Sequence, residues 1–191
     1  MRDEWFIRGS IPMTKSEVRA VSISKLELEP GAILYDIGAG TGSVSVEAAG
    51  QMPGGRVFAV ERNEEGVRLI EKNCERFQVE NVSVIRGSAP EALTGLPAPD
   101  CVFVGGSGGR MEQILRTVLE KNPSVRIVVN VIALESLSQV LDAAKKQNLE
   151  PEILSLHVAK GERTGNYHLM KGQNPVYVIS MGGRDPWAGV G

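Results

Sequence analysis

Residues 33 to 46 read I-L-Y-D-I-G-A-G-T-G-S-V-S-V, and this stretch decides the fold. An apolar run of Ile33, Leu34 and Tyr35 ends at Asp36. Glycines follow at alternate positions, Gly38, Gly40 and Gly42, before Val44, Val46, Ala48 and Ala49 resume at helical spacing. The pattern predicts a strand, a tight turn and a helix. Alternate glycines strip Cβ atoms from one side of the turn, so the backbone can take positive φ and a nucleotide-like ligand can lie against the amides at the helix N-terminus.

Spacing and two carboxylates discriminate among such ligands. The dinucleotide fingerprint G-x-G-x-x-G requires glycine at position 43, where this chain has Ser43, with Gly42 one place too early. Asp36, expected at a strand end facing the ligand, would repel a pyrophosphate but suits S-adenosylmethionine, which carries a sulfonium and an ammonium. Glu61 closes the next apolar run, Val57 to Val60, where a carboxylate can accept both hydroxyls of a ribose. A capping role for Asp36 and a solvated strand end for Glu61 would explain each residue singly but not their joint placement. D-x-G-x-G-x-G followed by V-x-A-V-E resembles the class I S-adenosylmethionine-dependent methyltransferases. That resemblance implies an α/β, Rossmann-like fold: a seven-stranded, mostly parallel sheet with an antiparallel final strand pair and helices on both faces.

Outward from this centre, 191 residues suffice for one well-buried core, so a single domain is expected over 1–191. A net charge of −2 advertises neither nucleic acid nor an anionic membrane as partner. Cys74 and Cys101 are the only cysteines and fall in a predicted helix and a predicted buried strand, as reduced core thiols. With only His157 and His168, and no C-x-x-C or H-x-x-x-H, no metal site is expected. The N-terminus lacks an apolar signal core, and no run is long enough to span a membrane; a cytoplasmic protein is expected.

Residues 1–13, with Trp5, Phe6, Ile7 and Pro12, read as an arm packed across the domain or a neighbouring subunit. Thr14-Lys15-Ser16-Glu17 reads as a capping box opening a helix to about Leu28 that buries Val18, Val21, Ile23 and Leu26. Strand and helix then alternate: helix 43–51, strand 57–60, helix 64–77, strand 82–85, strand 100–104, helix 110–119, strand 125–129 and helix 134–147. Two further strands, 152–158 and 176–181, have no helix between them and should be antiparallel. A long loop at 159–175 joins them, and the tail 182–191 is expected to be ordered only in part. Gly87-Ser88-Ala89-Pro90 follows the third strand, where Ser88 or the Ala89 amide can meet an adenine. Gly105-Gly106-Ser107-Gly108-Gly109 follows the fourth, where a large substrate can approach bare backbone.

Several stretches carry a narrower resemblance: Ile11-Pro12-Met13-Thr14-Lys15, the run Asp36 to Ala49, V-F-V-G-G-S-G-G at 102–109, and Gln173-Asn174-Pro175-Val176. Together they look like the cobalt-precorrin-6B carbon-15 methyltransferases (decarboxylating) of cobalamin biosynthesis. The resemblance implies methyl transfer from S-adenosylmethionine, yielding S-adenosylhomocysteine, to a meso carbon of a reduced tetrapyrrole, with loss of carbon dioxide from the ring C acetate. It also implies a homo-oligomer, by family a tetramer. The cofactor contacts it implies fall on Thr14, Gly38, Ala39, Gly40, Thr41, Gly42, Glu61 and Ala89, to which the reading of the residues adds Asp36 and Ser88, the latter, like Ala39, a mild departure from the family pattern. An anionic substrate calls for cations near the mouth, so Arg8, Arg110, Lys160, Arg163, His168 and Lys171 are candidates, beside the backbone of Gly105, Gly106, Ser107 and Gly108. Sulfonium and enamine-like carbon are already electrophile and nucleophile, so no acid–base residue is singled out. Methyltransferases of RNA or of protein side chains share the cofactor site but should show a basic face or a peptide groove; a nicotinamide dehydrogenase would need the missing glycine spacing.

Overall fold

The computed structural model describes residues 1–183, so part of the tail whose order was in question lies outside the described residues. Five strands run parallel: β1 (Ile33–Ile37), β2 (Arg56–Glu61), β3 (Val82–Arg86), β4 (Cys101–Val104) and β5 (Arg126–Val131). With β6 (Glu152–Leu156) and β9 (Val176–Gly182) they form a seven-stranded sheet in the order β3-β2-β1-β4-β5-β9-β6. The last two strands are antiparallel, β9 lying between β5 and β6, as two strands without a crossover helix require.

Side chains alternate across each strand, and this sorts the core into two layers. Leu34, Val57, Phe103, Val128 and Val178 face α1 (Ser16–Leu26) and α2 (Ser43–Ala49). Tyr35, Ile37, Val104, Ile127 and Val129 face α4 (Met111–Lys121) and α5 (Leu134–Lys146). The arm adds a third cluster, in which Phe6 and Met13 meet Val46 of α2 and Phe77 of α3 (Glu64–Phe77). The strand order reverses between β1 and β4. In an open α/β sheet such a switch point leaves a crevice outside the carboxyl ends of the strands.

Two local expectations are corrected. The segment 159–175 is not a loop throughout: β7 (Ala159–Thr164) and β8 (Tyr167–Gly172) pair as an antiparallel hairpin. Its two-residue turn begins with Gly165 at φ +61°, and both strands are exposed on both faces, so no period-two apolar pattern betrays them. The capping box does not form either. Lys15 is the N-cap without a side-chain bond, the Thr14 carbonyl accepts from Arg19, and Glu17 pairs with Lys160 at 2.8 Å. The helix starts one residue later than a box at Thr14 requires, and Lys160 holds the carboxylate that would have reached back; Arg19, completely buried, takes the Thr14 carbonyl at 2.6 Å and Glu47 of α2 at 2.6 Å. Both cysteines are free, Cys101 buried and Cys74 partly so, and no helix among the described residues is long and apolar enough to cross a membrane.

Candidate cofactor and substrate cavity

The turn after β1 needs its glycines. Gly38, Gly40 and Gly42 take φ of +72°, +58° and +75°, a region that side chains with Cβ rarely enter. Four of its amides, however, are held by the protein itself. Those of Gly38 and Ala39 both donate to the Val60 carbonyl, that of Gly40 donates to Glu61 Oε2 at 2.8 Å, and that of Gly42 to the Ala39 carbonyl. The carbonyls of Gly38 and Gly40 accept no hydrogen bond among the described residues. The amides of Thr41, Ser43 and Val44 donate to nothing among the described residues, so the start of α2 keeps free donors, and it is the Glu61 carboxylate beside the turn that favours a cationic ligand over a phosphate.

Glu61 sits at the end of β2, 8 % exposed, its two oxygens receiving the amides of Gly40 and Asn63 at 2.8 Å each. Each carboxylate oxygen keeps a second lone pair, so the group is oriented by the backbone and can still accept from a ligand. Gly66 makes room for it: a Cβ there would lie 2.7 Å from Glu61 Cγ.

Asp36 was expected to face the ligand, but it is wholly buried under the turn. Ser45 of α2 donates to its Oδ2, while Oδ1 has no partner. Burial pushes its carboxyl up to about 7, the Ser45 bonds pull it down, and the Glu61 charge adds to the upward push.

A cavity of about 910 Å³ opens over the switch point. Of the residues anticipated for the cofactor, Thr14, Gly38, Ala39, Gly40, Glu61, Ser88 and Ala89 line it; Asp36, Thr41 and Gly42 form the layer beneath. Gly105, Gly106, Ser107, Gly108 and Arg110 line it too. Arg8 is exposed elsewhere on the arm. Arg163, His168 and Lys171 stand on the exposed hairpin and do not line it.

The structure adds lining residues that the sequence reading missed. Lys15 and Arg62 have no carboxylate partner among the described residues, whereas Arg110 is gripped by both oxygens of Glu91 at 2.7 and 2.8 Å. Asn130, at the end of β5, is fastened by Nδ2 to Ser22 Oγ at 2.8 Å, and Ser22 in turn bonds the Val18 carbonyl. Its signal was a lone amide in the apolar run V-V-N-V. Ser136, Gln139, Gln173 and Asn174 complete a neutral polar border.

A family model described as a precorrin methyltransferase domain matches residues 4–182. The chain is 45% identical over 181 residues, 93% of each protein, to a protein of Pyrobaculum calidifontis named probable cobalt-precorrin-6B C(15)-methyltransferase (decarboxylating). It is 40% identical over 94% of each chain to the cobalt-precorrin-6B C(15)-methyltransferase (decarboxylating) of Salmonella typhimurium. The crystal structure of precorrin-6y C5,15-methyltransferase from Geobacter metallireducens superposes with a TM-score of 0.91, at 38% identity, covering 95% of this chain and 97% of that one.

Proposed function

The chain belongs to the precorrin methyltransferase family, and on that premise we propose that it methylates carbon 15 of a cobalt-precorrin-6B-type macrocycle and removes the ring C acetate carboxyl as carbon dioxide. The observation that carries this reading is the glycine turn lining the cavity, whose unpartnered Gly38 carbonyl and neighbouring Glu61 suit S-adenosylmethionine. The donor supplies a methyl group on a sulfonium.

Everything else is done by the chain's own residues. In this reading the Gly38 carbonyl accepts from the ammonium, Glu61 accepts from the ribose hydroxyls, and Ser88 and the Ala89 amide meet the adenine. Thr14 and the apolar arm residues Ile11 to Met13 keep water from that end. On the substrate side Gly105 to Gly108 let a flat macrocycle approach the backbone, and Lys15, Arg62 and Arg110 are the cations that its carboxylates can reach. Holding donor and acceptor carbon together in a dry cleft is the main catalytic contribution.

We assign all 191 residues to one domain, place the protein in the cytoplasm, and read it as a homo-oligomer. The support for assembly is the hairpin, where Tyr167, Leu169 and Met170 are 75%, 59% and 69% exposed. Incubation with labelled S-adenosylmethionine and precorrin-6B, with and without cobalt, tests the activity by mass. Gain of one methyl with loss of carbon dioxide is expected. Failure of the protein to bind S-adenosylhomocysteine would overturn the proposal.

A further inference from the structure

We infer that Glu65 and Asn73, neither of which lines the cavity, are positioning residues for its cofactor end: they fasten the N-terminal arm over the glycine turn as a fixed wall. The inference rests on the cofactor reading above and adds to it the part played by α3.

Asparagine is a poor helix-interior residue, yet Asn73 lies in α3 completely buried. Its amide is fully employed between two segments. Oδ1 accepts from the Ile7 amide at 2.7 Å, and Nδ2 donates to the Ile7 carbonyl at 3.1 Å and to the Thr41 carbonyl at 2.9 Å. It therefore clamps both backbone groups of one arm residue and ties them to the glycine turn. No apolar side chain of similar size could satisfy these three groups.

Glu65, in the first turn of the same helix, grips the arm three residues further on. Its Oε1 accepts the Ser10 amide at 2.8 Å and its Oε2 the Ser10 hydroxyl at 2.6 Å. Gly9 is shaped to this grip, since a Cβ on it would fall 2.0 Å from Glu65 Oε1. From Ser10 the chain passes directly into the cavity wall, Ile11 to Lys15. The Pro12 carbonyl lies 3.1 Å from where a Gly40 Cβ would stand, so wall and turn are in backbone contact. Arg19 closes the far end by bonding the Thr14 carbonyl at 2.6 Å.

A wall already tethered when the ligand arrives adds no ordering cost to binding. With a tether cut, the freedom gained by the arm must be lost again on each binding event, which weakens affinity while leaving the methyl transfer step alone.

The test uses the full chain with Glu65→Ala, Glu65→Gln and Gly9→Ala, titrated with S-adenosylhomocysteine and assayed with S-adenosylmethionine varied. Glu65→Ala should weaken binding and raise KM for the donor about tenfold, with kcat within about twofold of wild type. Gly9→Ala, which displaces the carboxylate without deleting it, should act in the same direction. Glu65→Gln keeps an acceptor for the Ser10 amide and should recover most of the affinity. Wild-type affinity in both Glu65→Ala and Gly9→Ala, or a loss of kcat at unchanged KM, overturns the inference. Absence of binding by the wild type would instead overturn the cofactor reading itself.

Discussion

Gly38 and Gly106 meet backbone to backbone: a Cβ on Gly38 would lie 2.8 Å from both the amide nitrogen and the carbonyl oxygen of Gly106. The turn proposed to hold the methyl donor and the loop proposed to receive the macrocycle are thus in direct contact. The fold brings them together because β1 and β4 are adjacent at the switch point.

Gly38→Ala should therefore damage both halves of the site. The substitution meets immovable backbone at φ +72°, a conformation unfavourable to alanine, and should cost about 1–3 kcal/mol of stability along with cofactor binding. Gly106→Ala faces open space and has no positive φ, so its melting temperature should stay near wild type. Equal melting temperatures for the two variants would show that the contact is not constraining.

Asp36 should make the stability depend on pH in an unusual direction. Its carboxyl titrates near 7 in the folded protein against about 3.8 normally, so between those values the folded state binds a proton that the unfolded chain has released. That contribution favours folding at low pH and is lost as pH rises through about 7. Asp36→Asn should flatten the slope between pH 4 and pH 7 in denaturant titrations, those limits being roughly the two pKa values. A cationic donor above the turn favours the ionised carboxylate, so donor affinity should rise through the same window in wild type and not in Asp36→Asn.

Gly66→Ala isolates the placement of Glu61. Alanine improves helix propensity by about 1 kcal/mol, yet its Cβ would press within 2.7 Å of Glu61 Cγ and 3.1 Å of the Gly40 carbonyl. The carboxylate must move, and donor affinity should fall roughly tenfold, the loss of about one charge-assisted hydrogen bond. Unchanged titration curves for S-adenosylhomocysteine would remove Glu61 from the cofactor set.

Lys15 and the hairpin cations separate two kinds of charge. Lys15→Met should raise KM for the carboxylated macrocycle by about tenfold, with affinity for S-adenosylhomocysteine held within about twofold. Arg163→Ala and Lys171→Ala, which do not line the cavity, should leave that KM near wild type in a steady-state assay.

The hairpin predicts its own outcome. Replacing Tyr167, Leu169 and Met170 together by serine removes large exposed apolar groups and should lower the mass measured by light scattering. A mass that stays the same would place the assembly surface elsewhere or leave the protein a monomer.

The run from Ile33 to Val46 was enough to determine the strand, glycine turn and helix at the centre of the fold, and the apolar runs on either side of it gave the alternating order of strands and helices. These are local matters: periodicity and positive φ are written in consecutive residues. The tertiary structure decided what depends on distant residues packing together. It buried Asp36 against α2, engaged four amides of the glycine turn with the protein itself, and put Arg163, His168 and Lys171 on an exposed hairpin outside the cavity lining. It also brought Lys15, Arg62 and Asn130 to one cavity from three separate elements, and made Asn73 and Arg19 buried anchors for the arm. A polar residue in a helix carries no sign of whether it will meet water or a backbone carbonyl from far along the chain, because that partner exists only once the layers have packed.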